Sequence, residues 1–195
     1  MTKKFSYTYH SALHDPIINI PCTRFESDHV LALQHDMSIG IPNDVIERCD
    51  VIYGEPPWLR GIEVFNQRVG ISTFTFDKLV TSICNIIEAS KIPMYFIVAA
   101  HLLKKLPKPV YSYNIILNTS GAFVVCYNTD KIINAKTNLL FIVELAKVYN
   151  CVWDFCCGYG NTGRIFRQYK KNAVLSDFDA QCIGYIKEHS VYWEL

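Results

Sequence analysis

The stretch VWDFCCGYGNTG, residues 152–163, decides the fold of this chain. It begins as an apolar run typical of a buried strand, continues into small flexible residues, and leads into a short predicted helix, Arg164–Lys171. Gly158 and Gly160 let the main chain turn tightly and approach a ligand, and the N terminus of the following helix presents free N–H groups. Glycine pairs also occur at strand-to-helix turns for purely structural reasons. The loop alone therefore does not establish a ligand site.

An acidic residue strengthens this interpretation because it ends the next predicted strand. Asp177 lies about twenty residues beyond the glycine loop. Nucleotide-binding folds place a carboxylate there that accepts hydrogen bonds from both ribose hydroxyls. Asp177 and Asp179 also precede a helical run, so either could cap that helix. The two roles can coexist, and the sequence favours Asp179 as the cap.

Strand and helix patterns alternate along the rest of the chain. The predicted strands are Pro16–Cys22, Asp50–Gly54, Met94–Ala100, Tyr111–Asn118, Ala122–Tyr127, Cys151–Phe155 and Ala173–Ser176, and the predicted helices are Phe76–Ser90, Thr137–Tyr149, Arg164–Lys171 and a last one from Ala180. Thr119-Ser120-Gly121 is a hairpin signal, whereas residues 29–43 are polar and turn-rich. This alternation predicts an α/β fold with a mostly parallel sheet and one antiparallel hairpin.

Length and composition suit one compact domain over residues 1–195, half of which are hydrophobic and 19% charged. The net charge of +1 lacks the basic excess of non-specific nucleic-acid binders, so any nucleic-acid contact must come from local patches. No apolar run approaches the roughly 18 residues of a membrane span, and the N terminus has no signal-peptide core. We therefore expect a soluble, cytoplasmic protein with no membrane contact.

The sequence predicts no metal site. The eight cysteines form no Cys-x-x-Cys pair, the adjacent Cys156 and Cys157 cannot readily face one ion, and the six histidines show no metal-ligand spacing. The cysteines are interpreted as small buried hydrophobic residues in a reducing compartment.

A second loop of interest, Glu55-Pro56-Pro57-Trp58, follows the apolar run that ends at Gly54. Its prolines fix the backbone and remove two donors, so their carbonyls are free to accept hydrogen bonds. An acid, two prolines and an aromatic ring therefore make a stiff platform that suits recognition of an amino group.

These loops resemble motifs of the amino-methyltransferases, which use S-adenosylmethionine to methylate adenine N6 or cytosine N4 in nucleic acids. Residues 55–58 are similar to the family's Asp/Asn/Ser-Pro-Pro-Tyr/Phe/Trp motif, and the glycine loop to its Asp-Pro-Phe-x-Gly-Ser-Gly-Thr-Thr motif. Lys136-Thr137 resembles the Lys-Pro segment that precedes a helix, and residues 174–186 resemble Ile-Gly-Ile-Glu-x-Asp-x-x-Tyr. The order, catalytic loop first and cofactor loop last, is that of the permuted β group.

The resemblance implies a Rossmann-like class I methyltransferase fold with a circularly permuted motif order and S-adenosylmethionine as cofactor. The residues that it assigns to cofactor binding are Lys136, Asp154, Phe155, Cys156, Gly158, Gly160, Thr162, Asp177 and Phe178. The catalytic set is Glu55, Pro56, Pro57 and Trp58. The acid and the first proline's carbonyl would accept hydrogen bonds from the amine, and Trp58 would stack on a flipped base. Adenine N6 in DNA is the favoured target.

The chain departs from the family pattern at several positions. Glu55 stands where the family has Asp, Asn or Ser, and its extra methylene could displace the acceptor by roughly an ångström or more. Phe155-Cys156 replaces Pro-Phe, and Tyr159 and Asn161 replace Ser and the first Thr. The family's target-recognition domain is not expected, so specificity falls to short loops or a partner subunit. The lysines at 104, 105 and 108 are the candidates for nucleic-acid contact.

Three alternatives remain open. The first is a catalytically inactive subunit that binds S-adenosylmethionine within a complex or a homo-oligomer. The second is a methyltransferase of RNA adenine, because Pro-Pro-Trp also occurs in the messenger-RNA enzymes. The third, a dinucleotide-dependent dehydrogenase, would use the glycine loop and Asp177 but offers no role for Glu-Pro-Pro-Trp.

Overall fold

The computed structural model describes residues 21–57, 59–71, 73–117 and 120–193, whose strands form one mixed sheet. The strands are β1 (Arg24–Glu26), β2 (Val30–Gln34), β3 (Val51–Gly54), β4 (Met94–Val98), β5 (Tyr111–Leu117), β6 (Ser120–Tyr127), β7 (Cys151–Asp154) and β8 (Asn172–Asp177). The helices are α1 (Asn43–Arg48), α2 (Leu59–Val69), α3 (Phe76–Ala89), α4 (Ala100–Leu103), α5 (Asn138–Val148), α6 (Asn161–Gln168) and α7 (Ala180–His189). No helix in the described ranges is both long and apolar enough to cross a bilayer.

The sheet has the order β1-β2-β8-β7-β3-β4-β6-β5. Its five central strands, β2, β8, β7, β3 and β4, run parallel, whereas β1 and the β5–β6 hairpin are antiparallel to their neighbours. This confirms the predicted α/β fold with a mostly parallel sheet. Because parallel strands end at the same edge, the loops after β2, β3, β7 and β8 come together there.

Two hydrophobic cores lie on opposite faces of the sheet. Helices α5, α6 and α7 cover one face, and helices α1 to α4 cover the other. Ile52 and Tyr53, neighbours on β3, belong to opposite cores and are 0% and 2% exposed. The central strands are therefore buried on both faces, which explains why they read as continuous apolar runs rather than as alternating patterns.

The segment of residues 29–43 corrects one sequence prediction. The sequence pattern predicts a polar, turn-rich segment, yet the segment contains β2, whose residues 30–33 are all buried. The apolar run lies between two histidines and is too short to show the hydrophobic periodicity of a strand. It forms a strand because it pairs with β1 on one side and β8 on the other. Because β1 and β2 form an antiparallel pair, the described sheet has a hairpin at each edge rather than the one predicted.

Other boundaries also differ from the prediction. The helix after the glycine loop begins at Asn161, three positions before the predicted Arg164, and α2, which follows the Pro-Pro loop directly, was not predicted. Residues 16–20 of the predicted strand Pro16–Cys22 lie outside the described residues, and its last two residues are not in a strand.

Candidate functional site

The carboxyl edge of three neighbouring strands carries the candidate site. Tyr53 of β3 pairs with Asp154 of β7, and Asp154 pairs with Leu175 of β8. The Glu-Pro-Pro loop after β3 and the glycine loop after β7 therefore leave the sheet side by side. The sequence also predicts this arrangement, because open α/β sheets bind ligands at the carboxyl edge of their parallel strands, and the strand register confirms it.

The glycines of the cofactor-type loop have different tasks. Both adopt a left-handed backbone, with φ of 50° at Gly158 and 80° at Gly160. A Cβ on Gly160 would lie 2.7 Å from the Trp193 ring and 3.0 Å from Ile186, whereas a Cβ on Gly158 would meet nothing within 4 Å. Gly160 thus allows close packing of Trp193, whereas the space beside Gly158 is open.

Asp154 ties the glycine loop to the helix that follows it. Its Oδ2 accepts a hydrogen bond from the Thr162 hydroxyl at 2.6 Å, and its Oδ1 accepts one from the Cys156 N–H at 3.2 Å. Burial, with a smaller contribution from the charge of Asp177, raises the pKa of Asp154 to about 7, although these two hydrogen bonds lower it. Asp154 therefore fixes the glycine loop to α6 through two hydrogen bonds, and its pKa lies near neutral pH.

Asp177 and Asp179 divide two roles between them. The Asp177 carboxylate accepts hydrogen bonds from the Gly158 N–H and the Asp179 N–H, each at 3.0 Å, so it links β8 to the glycine loop. Asp179 caps α7 by accepting a hydrogen bond from the Gln181 N–H at 2.9 Å. The assignment of Asp179 as the cap is confirmed.

Glu55 begins the loop after β3 and belongs to a buried polar chain. Its Oε2 accepts a hydrogen bond from the side-chain amide of Asn138, and the Asn138 Oδ1 accepts one from the Tyr53 hydroxyl at 2.6 Å. Burial, followed by the charge of Asp154, raises the pKa of Glu55 to about 8, whereas the Asn138 donor lowers it. The pKa of Glu55 therefore lies well above the ordinary value of a glutamate carboxyl group.

Two adjoining pockets open at this edge. The first, of about 240 Å³, is lined by His35, Asp36, Met37, Glu55, Pro57, Gly61, Val64, Phe65, Phe74, Phe155, Cys156, Gly158, Asp177 and Phe178. The second, of about 170 Å³, is lined by Tyr53, Glu55, Asn138, Ile142, Asp154, Cys156, Cys157, Gly158, Tyr159, Asn161 and Thr162. Glu55, Cys156 and Gly158 line both. Glu55 therefore lies at the junction of the two pockets.

The two pockets differ in chemistry. Aromatic rings wall the first pocket, where Phe65 contacts Phe74 and Phe178 edge to face at centroid distances of 5.4 and 5.7 Å. The carboxylate of Asp177 lies in the first pocket and that of Asp154 in the second, with Glu55 between them. A flat ring suits the first pocket, and a positive charge in the second or at the junction would be attracted by these carboxyl groups.

The other residues predicted for the site are placed as follows. Pro56 is buried, and Pro57 lines the first pocket. Lys136 is exposed and lines neither pocket. Trp58 lies outside the described residues.

Several residues of the site escaped the sequence analysis. His35 follows β2, which the sequence did not predict. Phe65 lies in α2 and Phe74 comes after it, and α2 was not predicted either. Tyr53 and Asn138 sit at recognised elements, a strand end and a helix start. Nothing in their local sequence distinguishes them from ordinary core and capping residues.

Comparisons with known proteins support the fold. No family model and no curated protein matches the sequence. Among solved structures, M1.HpyAVI in complex with SAM aligns with a TM-score of 0.53 and 10% identity over 82% of this chain and 98% of that one. TTHA0409 from Thermus thermophilus, provisionally assigned as a DNA modification methylase, aligns with a TM-score of 0.52 and 11% identity over 80% and 91%. The chain has the Rossmann-like α/β fold of methyltransferases.

Proposed function

We propose that this protein transfers the methyl group of S-adenosylmethionine to the exocyclic amine of a nucleobase in DNA, with adenine N6 as the target. The observation that carries this proposal is the position of Glu55 at the junction of the two pockets. S-adenosylmethionine has two halves, adenosine and methionine, which meet at the sulfonium that holds the methyl group. An acceptor at that junction stands beside the transferable group.

The residues of the two pockets fit the two halves of this cofactor. Adenosine would occupy the aromatic first pocket. There Phe178 would border the adenine ring, and Asp177 would accept hydrogen bonds from the ribose hydroxyls. Both Asp177 oxygens already accept a backbone N–H, but a carboxylate offers about four acceptor positions. Methionine would occupy the second pocket beside Asp154 and Thr162. M1.HpyAVI, which shares the fold, was solved with SAM, and this supports the choice of cofactor.

Glu55 and Pro56 would prepare the target amine. An exocyclic amine is a poor nucleophile because its lone pair is delocalised into the ring, and hydrogen bonds to its N–H groups favour the pyramidal form that can react. The ionised Glu55 carboxylate and the Pro56 carbonyl are the acceptors in our proposal, and Trp58 stacks on the flipped base. The bound cofactor supplies an activated methyl group, so the protein contributes position and electrostatics and needs no covalent intermediate.

The proposal extends to the family and to the partner. Chain order places the Glu55 loop before the glycine loop, as in the permuted β group of DNA amino-methyltransferases. We further propose that residues 1–195 form a single methyltransferase domain without a target-recognition domain. Nucleic acid would then be read by short loops or by a partner subunit. The exposed lysines 104, 105 and 108, which follow the strand beside β3, are the proposed contacts.

Two measurements test the proposed function. Calorimetry should show one binding site per chain for S-adenosylmethionine or S-adenosylhomocysteine. Incubation with labelled S-adenosylmethionine and a panel of DNA and RNA should label DNA at adenine. Glu55→Ala should abolish most of the transfer, and Glu55→Gln, which keeps an acceptor oxygen, should retain part of it.

The other outcomes identify the alternatives. Labelling of RNA alone would change the substrate and keep the chemistry. Cofactor binding with wild type and every Glu55 variant equally inert would indicate a catalytically inactive subunit. Binding of NADH without either methionine compound would contradict the proposal altogether.

A further inference from the structure

Glu55 is held at its position by residues outside the loop that bears it. Tyr53 is the third of the four residues of β3, and Glu55 is the first residue after that strand. Asn138, the first residue of α5, contacts both of them and is 5% exposed. Buried polar groups are normally paired, and here each of the three side chains is paired with the next.

The chemistry of the three groups fixes the direction of the hydrogen bonds. The Asn138 amide nitrogen faces Glu55, which is the arrangement that an ionised carboxylate requires because it only accepts hydrogen bonds. The amide oxygen then faces the Tyr53 hydroxyl, which donates to it at 2.6 Å. One Glu55 oxygen, Oε2, is engaged in this way. No described residue forms a hydrogen bond with the other oxygen, Oε1, which under the proposed function would accept one from the substrate.

The segment before α5 is itself fixed by tyrosine hydroxyls. Tyr111 donates to the backbone carbonyl of Lys131 at 2.6 Å, and Tyr113 donates to that of Ile133. Thr137 then caps α5 by accepting a hydrogen bond from the Leu140 N–H. These contacts place the start of α5, and with it Asn138, against the end of β3.

We propose that Asn138, oriented by Tyr53, is a positioning residue that holds Glu55 where it accepts a hydrogen bond from the target amine. This inference rests on the proposed function. It also explains how Glu55 can stand where the amino-methyltransferases that this chain resembles have a shorter residue. The hydrogen bond from Asn138 holds the longer glutamate side chain in place. Misplacement of a reacting group by about 1 Å can cost on the order of 100-fold in rate.

The first test removes one contact at a time. Tyr53→Phe deletes the hydroxyl that orients the amide, and Asn138→Ala deletes the donor to Glu55. Each should lower kcat on the order of 10- to 100-fold. Tyr127→Phe is the matched control, because Tyr127 is similarly buried and its hydroxyl donates instead to the Pro107 carbonyl at 2.8 Å. The control should keep the wild-type kcat.

The pH profile separates positioning from a general loss of structure. Asn138 donates to the ionised form of Glu55 and so lowers its pKa. Loss of the donor in Asn138→Ala, and loss of its orientation in Tyr53→Phe, should move the acid limb of kcat to higher pH, whereas Tyr127→Phe should leave it unchanged. A kcat and an acid limb that match the control in both variants would overturn the proposal.

An exchange of side-chain lengths gives a second, independent test. Glu55→Asp withdraws the carboxylate from Asn138 by one methylene, and Asn138→Gln extends the amide by one. Each single variant should lose activity, and the double variant Glu55→Asp/Asn138→Gln should recover part of it. A double variant no better than the worse single variant would count against direct contact between the two side chains.

An NMR titration distinguishes failure of this inference from failure of the proposed function. Glu55 is followed through labelled glutamate carboxyl carbons and identified by the signal lost in Glu55→Gln. Its midpoint should rise in Asn138→Ala and in Tyr53→Phe. If wild type labels no nucleic acid yet both midpoints rise, the proposed function is overturned and the restraint on Glu55 is supported. If neither midpoint moves, the restraint itself is wrong.

Discussion

Asp177 and Asp179 show at the scale of single residues how two identical side chains, two positions apart, have different structural roles. Asp177 ends β8, faces the glycine loop and lines the first pocket. Asp179 turns to the first N–H groups of α7. Local backbone direction, rather than residue type, separates the acid that faces the glycine loop from the acid that caps α7.

Substitution of these two residues should therefore separate affinity from stability. Asp177→Ala should weaken S-adenosylmethionine binding by about 1–3 kcal/mol, the usual cost of losing hydrogen bonds to a charged group. Asp179→Ala should lower the free energy of unfolding by about 0.5–2 kcal/mol through loss of the cap and leave affinity nearly unchanged. Calorimetry and urea unfolding measure the two quantities. Equal loss of affinity in both variants would contradict the assignment of Asp177 to the ribose.

Proton release on cofactor binding is a second prediction at this scale. Burial holds the pKa of Asp154 at about 7 and that of Glu55 at about 8, so both carboxyl groups are partly protonated near neutral pH. A cationic ligand favours their ionised forms and lowers both pKa values, so binding should release protons. Calorimetry in buffers of different ionisation enthalpy measures the release. It should be smaller for S-adenosylhomocysteine, which lacks the sulfonium, and smaller in Glu55→Gln. Proton uptake would refute this electrostatic account.

The glycine loop and the end of the chain act together at the scale of elements. After α7, the chain makes a short turn over Ser190–Tyr192, and Trp193 then packs on Gly160 and Gly163. The start of α6 is therefore held on one side by this ring and on the other by the hydrogen bond between Thr162 and Asp154. Gly158 lies on the side of the loop that faces the two pockets.

Alanine at the two loop glycines should have unequal effects on stability. Gly158→Ala should cost about 1–2 kcal/mol, because the left-handed backbone disfavours a side chain and no atom obstructs it. Gly160→Ala adds a clash with Trp193, and the total cost should be about 2–5 kcal/mol. Urea unfolding measures both, and Gly70→Ala, at a φ of 69° with nothing within 4 Å of the added Cβ, is the control. Equal costs at the two loop positions would show that Trp193 does not press on Gly160.

At the scale of the whole molecule, two helical layers and a central sheet bury carboxyl groups at one edge. Glu55 and Asp154 lie where the loops after β3 and β7 emerge, and burial raises the pKa of each well above its ordinary value. The fold thus keeps two titratable carboxyl groups at this edge, although desolvation of their ionised forms opposes folding.

The stability of the unliganded protein should consequently fall as the pH rises. A carboxyl group whose pKa is higher in the folded state contributes stability that is complete below the unfolded value, near 4.5 for Glu55, and is lost as the pH passes about 8. The free energy of unfolding should drop by on the order of a few kcal/mol between about pH 5 and about pH 8.5. Urea unfolding at both values tests this, with Glu55→Gln and Asp154→Asn expected to reduce the difference. A wild-type stability that rises over this interval would be contrary to the burial of these two acids.

The sequence by itself determined the strand, glycine loop and helix around residues 151–168, the acid at Asp177 and the shared edge of the two loops. Each of these follows from a local pattern, because a buried strand needs an apolar run and a tight turn needs glycine. The parallel arrangement then places successive strand ends at one edge. The sequence could not predict β2, because its buried residues 30–33 are too few to display a hydrophobic period.

Only the tertiary structure decided what surrounds the acid at the centre of the site. Glu55 and Asn138 are 83 positions apart, and their hydrogen bond exists because the sheet brings the end of β3 under the start of α5. The two pockets meet at Glu55 for the same reason, since their walls come from neighbouring strand ends and from helices that pack on opposite faces. Side-chain partners across a core depend on packing between distant segments, and a local pattern carries no record of them.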